Sequence, residues 1–286
     1  MTKFRVVSDL HVEFYAHPMY LQRKLDNMYP DIEKDEILIV AGDLGVAGDG
    51  MNGGSRLNFE YKAMLEYFAK RWNYVILVPG NHEYYDRNKH CSLNDVDNMI
   101  RKECDKLGIV FLNKDSVVID LDPKASTGSK VLKLIGCTLW SEATFEAYKG
   151  MNDKLKAILS HSELLKTHKE HKDWLSKELK KSKKRGEEVI VVTHHLPLQA
   201  LTHPKYLTDR YKALNSAYAS NLEDIIMDCK IKSAKEYESS VIERWFCGHT
   251  HERTEIELHC VKFLINPIGY PREYKLTKTS TEIIKI

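Results

Sequence analysis

The 286-residue sequence has no apolar stretch approaching the ~20 residues of a membrane span, which excludes a long apolar transmembrane helix. It has no CxxC pair. Its six cysteines (Cys91, Cys104, Cys137, Cys229, Cys247 and Cys260) show no tight pairing, so reduced thiols in a cytoplasmic protein fit best. Cys247 and Cys260 are expected in apolar strands, where a thiol acts as a small hydrophobe. An excess of one charge is also missing: Lys and Arg number 43 against 41 Asp and Glu, a net charge of +2. Global charge therefore gives no reason to expect a nucleic-acid or membrane partner. Internal repeats and long linkers are absent too. The first apolar run, Phe4 to Val7, leads straight into a functional motif, so no cleaved signal peptide is expected there.

Against these absences, a hydrophobic fraction of 43% and a charged fraction of 29% are ordinary for a globular chain that can bury a core. Five short motifs stand in order: Asp9-Leu10-His11, Gly42-Asp43, Gly80-Asn81-His82-Glu83, His194-His195 and Gly248-His249-Thr250-His251. Each follows an aliphatic run that reads as a buried strand: Phe4 to Val7, Ile37 to Val40, Tyr74 to Val78, Val189 to Val192 and Trp245 to Cys247. Open α/β sheets place their active sites at such strand ends. Because the motifs run from residue 9 to residue 251, one site draws on nearly the whole chain, and residues 1–286 are expected to form a single domain.

Helical stripes are predicted over Arg56 to Trp72 and over Leu93 to Leu107, the latter stopped by Gly108. Short strands are predicted at Ile109–Leu112, Val117–Leu121, Val131–Leu139, Glu255–Leu258, Val261–Ile265 and Ile283–Ile286. Two segments look like additions to this core. Residues 142–185 are helical and polar, and end in the basic run Lys180-Lys181-Ser182-Lys183-Lys184-Arg185, which reads as a solvated face. Residues 203–222, holding Tyr206, Arg210, Tyr211, Asn215 and Tyr218, follow a motif directly and could overhang the site as a cap.

Two Asp, one Asn and several His are the hard oxygen and imidazole donors that suit Mn, Fe or Zn. Asp9 and His11, two apart at a strand end, can point the same way, and His249 and His251 repeat that spacing. The set fits two metal ions, with Asp43 bridging. Asp9, His11 and one His of the last motif would complete one ion. Asn81, His194 and the other His would complete the second. Two ions close together clamp a phosphoryl group and lower the pKa of a water. His82 is left over for proton transfer to a leaving group. Either histidine of Thr193-His194-His195 could be the ligand; His194 lies nearer the strand end, which leaves His195 either supporting the ligands from behind or facing the substrate. His168 and His171 share a helical face with no carboxylate nearby and are expected to be solvated, as are His17, His90, His161 and His259.

The ordered set resembles that of the calcineurin-like metallophosphoesterase superfamily, and the resemblance covers most of the chain. Longer strings, Ser8 to Phe14, Gly136 to Trp140 and Asn266 to Tyr270, are similar to a bacterial and phage-type subgroup of broadly defined phosphohydrolases, a resemblance that stops short of a substrate. The resemblance implies an α/β fold: a two-layer β sandwich flanked by helices (α/β/β/α). It implies that one ion takes Asp9, His11, Asp43 and His251, that the other takes Asp43, Asn81, His194 and His249, and that His82 is the catalytic histidine, acting as general acid during in-line attack of water. Two transition-metal ions are thus the expected cofactors, with Mn favoured over Fe and Zn.

Protein phosphatases of this superfamily follow their Gly-Asp with an Asp-Arg-Gly whose arginine grips phosphate. Here Gly42-Asp43 is followed by Leu44-Gly45-Val46-Ala47-Gly48, without a basic residue. Arg87 or Arg210 would have to substitute. A bidentate guanidinium is the best protein partner for a phosphate dianion. A phosphodiester carries one charge less, so a phosphodiesterase acting on nucleotides or nucleic-acid ends is favoured over a phosphomonoesterase. His195, Arg210, Tyr211 and Asn215 are the candidate substrate contacts. A non-catalytic scaffold on the same fold is disfavoured, because all donors and the Gly-Asn-His histidine are present.

Overall fold

In the computed structural model, residues 3–33, 36–48, 56–85, 91–120, 131–157, 159–231, 239–273 and 283–285 are described. The aliphatic runs become the strands of two sheets. The first run forms β1 (Lys3–Val7), and a helix α1 (Pro18–Met28) separates it from β2 (Glu36–Ala41). Then come α2 (Phe59–Arg71), β3 (Tyr74–Val78), α3 (Leu93–Leu107) and the short β4 (Val110–Phe111). The chain continues through β5 (Asp115–Asp120), β6 (Val131–Cys137), three helices α4 (Phe145–Gly150), α5 (Asp153–Lys156) and α6 (His161–Arg185), and β7 (Val189–Thr193). Past α7 (Asp209–Lys212), α8 (Asn215–Tyr218) and α9 (Glu223–Asp228), a small pair β8 (Lys230–Ile231) and β9 (Ser239–Ser240) precedes β10 (Ile242–Cys247), β11 (Thr254–Leu258), β12 (Val261–Ile265) and β13 (Ile284–Lys285).

One sheet has the order β13-β1-β2-β3-β4 and the other β11-β12-β10-β7-β6-β5. The β1–β2–β3 strands are mutually parallel, as are β6–β7–β10–β12, so the motifs leave at like ends. Side chains alternate along each strand. Phe4, Val6, Ile37, Ile39, Ile76, Leu134, Ile190, Val192 and Phe246 fill the space between the two sheets. Val7, Leu38, Val40 and Leu77 face outward against Leu21, Leu65, Phe68 and Ile100 of α1, α2 and α3. On the far side, Ile135, Val189, Val191 and Trp245 pack on Leu175 and Leu179 of α6 and Ile226 of α9. The layering is therefore helix, sheet, sheet, helix, the expected sandwich.

Local sequence sets several boundaries. Ser92 with Asp95 forms a capping box on α3, and Gly108 closes the helix in the left-handed region; Ser160 with Glu163 and Gly186 do the same for α6. Two of the expectations are corrected. Cys260 is not in a strand: with His259 it makes the two-residue turn joining β11 to β12, both residues at positive φ (54° and 63°), the geometry of a twisted hairpin turn. His168 and His171 are buried, not solvated, because α6 turns Leu164, His168, His171, Leu175 and Leu179 inward together. His168 Nδ1 donates to the Leu139 carbonyl (3.0 Å) and the Leu139 N–H donates to His171 Nδ1 (3.2 Å), which steadies a corner where Leu139 and Trp140 are both left-handed. His161 is also partly buried and donates from Nε2 to the Ala143 carbonyl (2.7 Å). The basic end of α6 does face outward, with Lys181 paired to Glu178 and Lys180 to Asp228. Among the described residues no helix is long and apolar enough to cross a membrane.

Candidate metal centre

The loops that leave β1, β2, β3, β7 and β10 converge. Asp9, His11, Asp43, Asn81 and His194 are all buried. Their backbone is unusual: Asp9, His11, Asp43, His249 and His251 have φ of 54°, 48°, 55°, 74° and 52°. Non-glycine residues in that region store strain that the surroundings must hold in place. Here the loops hold one another. Asp9 N donates to Gly42 O (3.0 Å), His11 N to Asp43 O (3.0 Å) and Gly248 N to His194 O (2.9 Å). Gly42, at φ 85°, lets His194 lie so close that a Cβ would sit 2.3 Å from its Nδ1. Glu83 ties two loops by accepting from the N–H groups of Asp43 (3.1 Å), Leu44 (2.8 Å) and Gly80 (2.7 Å). Burial, then the charge of Asp43, pushes the Glu83 carboxyl up to about 8.

Two donor sets meet at Asp43. His251 Nε2 lies 2.9 Å from His11 Nε2 and 3.5 Å from Asp9 Oδ1, and His11 Nε2 lies 3.7 Å from Asp43 Oδ2. On the other side, His194 Nε2 lies 3.3 Å from the same Asp43 Oδ2, 3.1 Å from Asn81 Oδ1 and 3.2 Å from His249 Nδ1. The triads Asp9/His11/His251 and Asp43/His194/His249 are each tight enough to hold one ion. The outer nitrogens of three imidazoles are already committed. His11 Nδ1 faces Glu13 (3.3 Å), His194 Nδ1 donates to Ala41 O (3.0 Å) and His251 Nδ1 faces Glu273 (2.7 Å). With Nδ1 carrying the hydrogen, the Nε2 lone pairs of all three point inward at one another and at carboxylate oxygens. Such a convergence of acceptors repels itself unless protons or metal cations sit among them, and an outer hydrogen bond on each ring is the arrangement metal-ligating histidines use. The donors therefore fit a pair of divalent ions.

Burial alone would raise the Asp43 carboxyl, but the charges of His194, His82 and His11 hold it well below the ordinary carboxylate range. His82 N donates to Asp43 Oδ1 (2.9 Å), which fixes the bridging carboxylate from its other side. The His82 ring lies over Tyr85 (4.2 Å between centroids) and its Nδ1 meets Glu13 Oε1 at 2.7 Å. Burial would lower that imidazole, yet Asp43 and Glu13 together raise it above the ordinary histidine value.

The cleft over this centre has a volume of about 210 Å³, and Asp43, Asn81, His82, His249 and His251 form its floor. From the 203–222 segment Tyr206, Leu214, Ala217 and Tyr218 line it, whereas Arg210, Tyr211 and Asn215 do not. His195 is fully buried behind the donors, its ring stacked on Trp140 and against His249, with Nδ1 donating to Thr138 O (3.3 Å). Arg87 lies outside the described residues. Sequence reasoning passed over Glu13, Tyr85, Asp153 and Glu273. Glu13 stood inside the string Ser8 to Phe14, but without a role assigned to it, and Glu273 stood three residues past the string Asn266 to Tyr270. Asp153 carried no motif and reaches the cleft only through the turn between α4 and α5.

The sequence pattern of the calcineurin-like phosphoesterase family matches residues 2–253. An uncharacterized protein of Acanthamoeba polyphaga mimivirus is similar at 24% identity over 302 aligned positions, covering 96% of this chain and 93% of its own. Among solved structures, the phosphopantetheinyl hydrolase of Mycobacterium tuberculosis has a similar fold. It shares 18% identity and a TM-score of 0.64, over 95% of this chain and 91% of its own.

Proposed function

Since the chain belongs to the calcineurin-like phosphoesterase family and is a metal-dependent phosphoester hydrolase, we propose that it is a binuclear phosphodiesterase acting on nucleotides or nucleic-acid ends. Asp9, His11, Asp43 and His251 would hold one ion and Asp43, Asn81, His194 and His249 the other, with Mn favoured for a donor set that mixes carboxylate, amide oxygen and imidazole. Such ions, when bound, supply an activated water and neutralise phosphoryl oxygens. His82 supplies what they do not. From the cleft floor its Nε2 gives a proton to the departing ester oxygen, which would otherwise leave as an alkoxide.

The observation that carries the diester reading is the cleft lining. Among the described residues that form it there is no Lys or Arg, while Asp153 and Glu273 add carboxylates. A monoester dianion would meet more negative charge and no guanidinium, whereas a diester carries a single charge. Tyr85, Tyr206, Tyr218 and Tyr270 give the walls aromatic faces on which a base can stack. With Mn present, kcat/KM should be higher for bis(p-nitrophenyl) phosphate than for p-nitrophenyl phosphate. A strong preference for the monoester would replace this reading with that of a phosphatase.

A further inference from the structure

We infer that Glu13 is the positioning residue of His82, an assignment that rests on the proton-donor role given to His82 above. Packing fixes the plane of the His82 ring: it lies over Tyr85 and meets the His11 ring edge-on at 4.3 Å. Packing alone leaves a half-turn about χ2 open, and that turn would take Nε2 away from the cleft. Glu13 closes this freedom. Its Oε1 accepts from His82 Nδ1 at 2.7 Å, on the edge opposite Nε2, and a carboxylate that accepts there fixes which nitrogen is presented to the substrate. The same oxygen meets His11 Nδ1 at 3.3 Å, so one atom sets the rotation of a metal-donor ring and of the proton donor together.

The fold makes room for this carboxylate at a place where the sequence departs from the phosphatase pattern. Glu13 sits in the 3-10 turn Val12–Phe14, entered through the left-handed His11. A Cβ on Gly45 would lie 2.7 Å from Glu13 Oε2 and 2.7 Å from Val12 Cγ1. A larger residue at 45 would therefore crowd the Glu13 carboxylate and Val12. Glu13 Oε2 is buried and accepts no hydrogen bond from the described residues, so among them the side chain is held chiefly through Oε1. Its satisfied oxygen is spent on the two rings.

The test compares wild type, Glu13→Ala, Glu13→Gln, His82→Ala and the double variant E13A/H82A, all loaded with Mn. Two substrates are used: bis(p-nitrophenyl) phosphate, whose leaving group needs little protonation, and a dinucleoside monophosphate, whose ribose alcohol needs it. E13A should lower kcat on the dinucleotide by about 10- to 100-fold, change KM little, and lose much less on the nitrophenyl ester. Its metal content by elemental analysis should remain that of wild type. E13Q, whose amide oxygen still accepts from Nδ1, should recover most of the loss. In the H82A background the E13A change should cost nothing more. In the metal-free protein, at a pH high enough for the His82 ring to be neutral, long-range ¹H–¹⁵N spectra should show the hydrogen on Nδ1, and E13A should remove that preference. If the E13A and H82A losses multiply, or if E13A sheds metal, Glu13 acts through His11 or the fold and the assignment fails. Were H82A as fast as wild type on both substrates, the proton-donor reading would fall first and the assignment of Glu13 with it.

Discussion

A carboxylate oxygen placed between two imidazole nitrogens, as Asp43 Oδ2 is between His11 (3.7 Å) and His194 (3.3 Å), is bound to serve both neighbours. Replacing Asp43 by Asn keeps the shape and the His82 N–H contact to Oδ1 but removes charge from both donor sets. D43N should bind each ion at least about 10-fold more weakly, and elemental analysis after gel filtration should find well under two ions per chain. Full occupancy in that variant would refute the bridging role. At this scale the sequence was most legible. The seven donors stand at strand ends in a fixed order, and the structure brings all seven to one place. What it could not decide was local direction. His194 and His195 are adjacent in the chain, and only the path of β7 sends the first toward Asp43 and the second toward Trp140. Glu13 and Glu273 were invisible for a related reason, since a carboxylate that orients a histidine has no spacing rule of its own.

Helix α6 shows how an element can hide its function from composition. Nine Lys or Arg between residues 166 and 185 suggest a solvated rod, yet every third or fourth residue is turned inward, and two of those are histidines. Burial pushes the His171 imidazole down to about 3, with the charge of Lys114 acting in the same direction. The unfolded chain would protonate this group near its ordinary 6.5, so between 6.5 and about 3 the unfolded state binds more protons. Stability from His171 is therefore present above 6.5 and is lost as the pH falls through that window, by at most about 1.4 kcal/mol per pH unit. Urea unfolding of wild type and His171→Gln from pH 7.5 to 5 should show a shallower pH dependence in the variant. Parallel curves would mean that His171 already carries its proton in the fold. The end of α3 was readable because Gly108 stops the helix within one residue of its last turn, whereas the start of α6 was not, since residues 142–185 read as one polar helical stretch and hold α4, α5 and α6. The inward face of α6 was readable in principle from its 3.6 period, but Lys-rich surroundings make a histidine look exposed. The hairpin turn at His259-Cys260 lacks the Asn-Gly signal that would have announced it.

At the scale of the molecule, the two sheets are joined at the site as well as through their shared core. Ser8 N donates to Asn266 O, Ile268 N to Ser8 O, and Asn266 Nδ2 reaches the Val6 carbonyl (2.7 Å), so the ends of β1 and β12 are stitched beside the donors. Ions bound by these donors would hold both sheets and all five loops against the repulsion of the donors' own lone pairs. A ligand that binds only the folded state at a hundred times its Kd adds about 2.7 kcal/mol. At roughly 2–4 °C per kcal/mol for a chain of this size, removing metal with EDTA should lower Tm by at least about 5 °C, and Mn should restore it. A single transition in both states would accord with one cooperative domain, and a melting curve indifferent to Mn would contradict metal binding by the native state. The pairing order of the strands was not legible beforehand, because the aliphatic runs are nearly interchangeable and only long-range contacts sort them into two sheets. The left-handed donors have a consequence in time. On the ribosome the first of them is made long before the last: Asp9 and His11 emerge early, but their partners at 249 and 251 arrive only when most of the chain is out. No half-made chain offers a closed set of donors, and a left-handed aspartate or histidine has no reason to hold that shape alone. A donor set that closes only when its last loop is in place is one whose ion sites and whose fold are completed together.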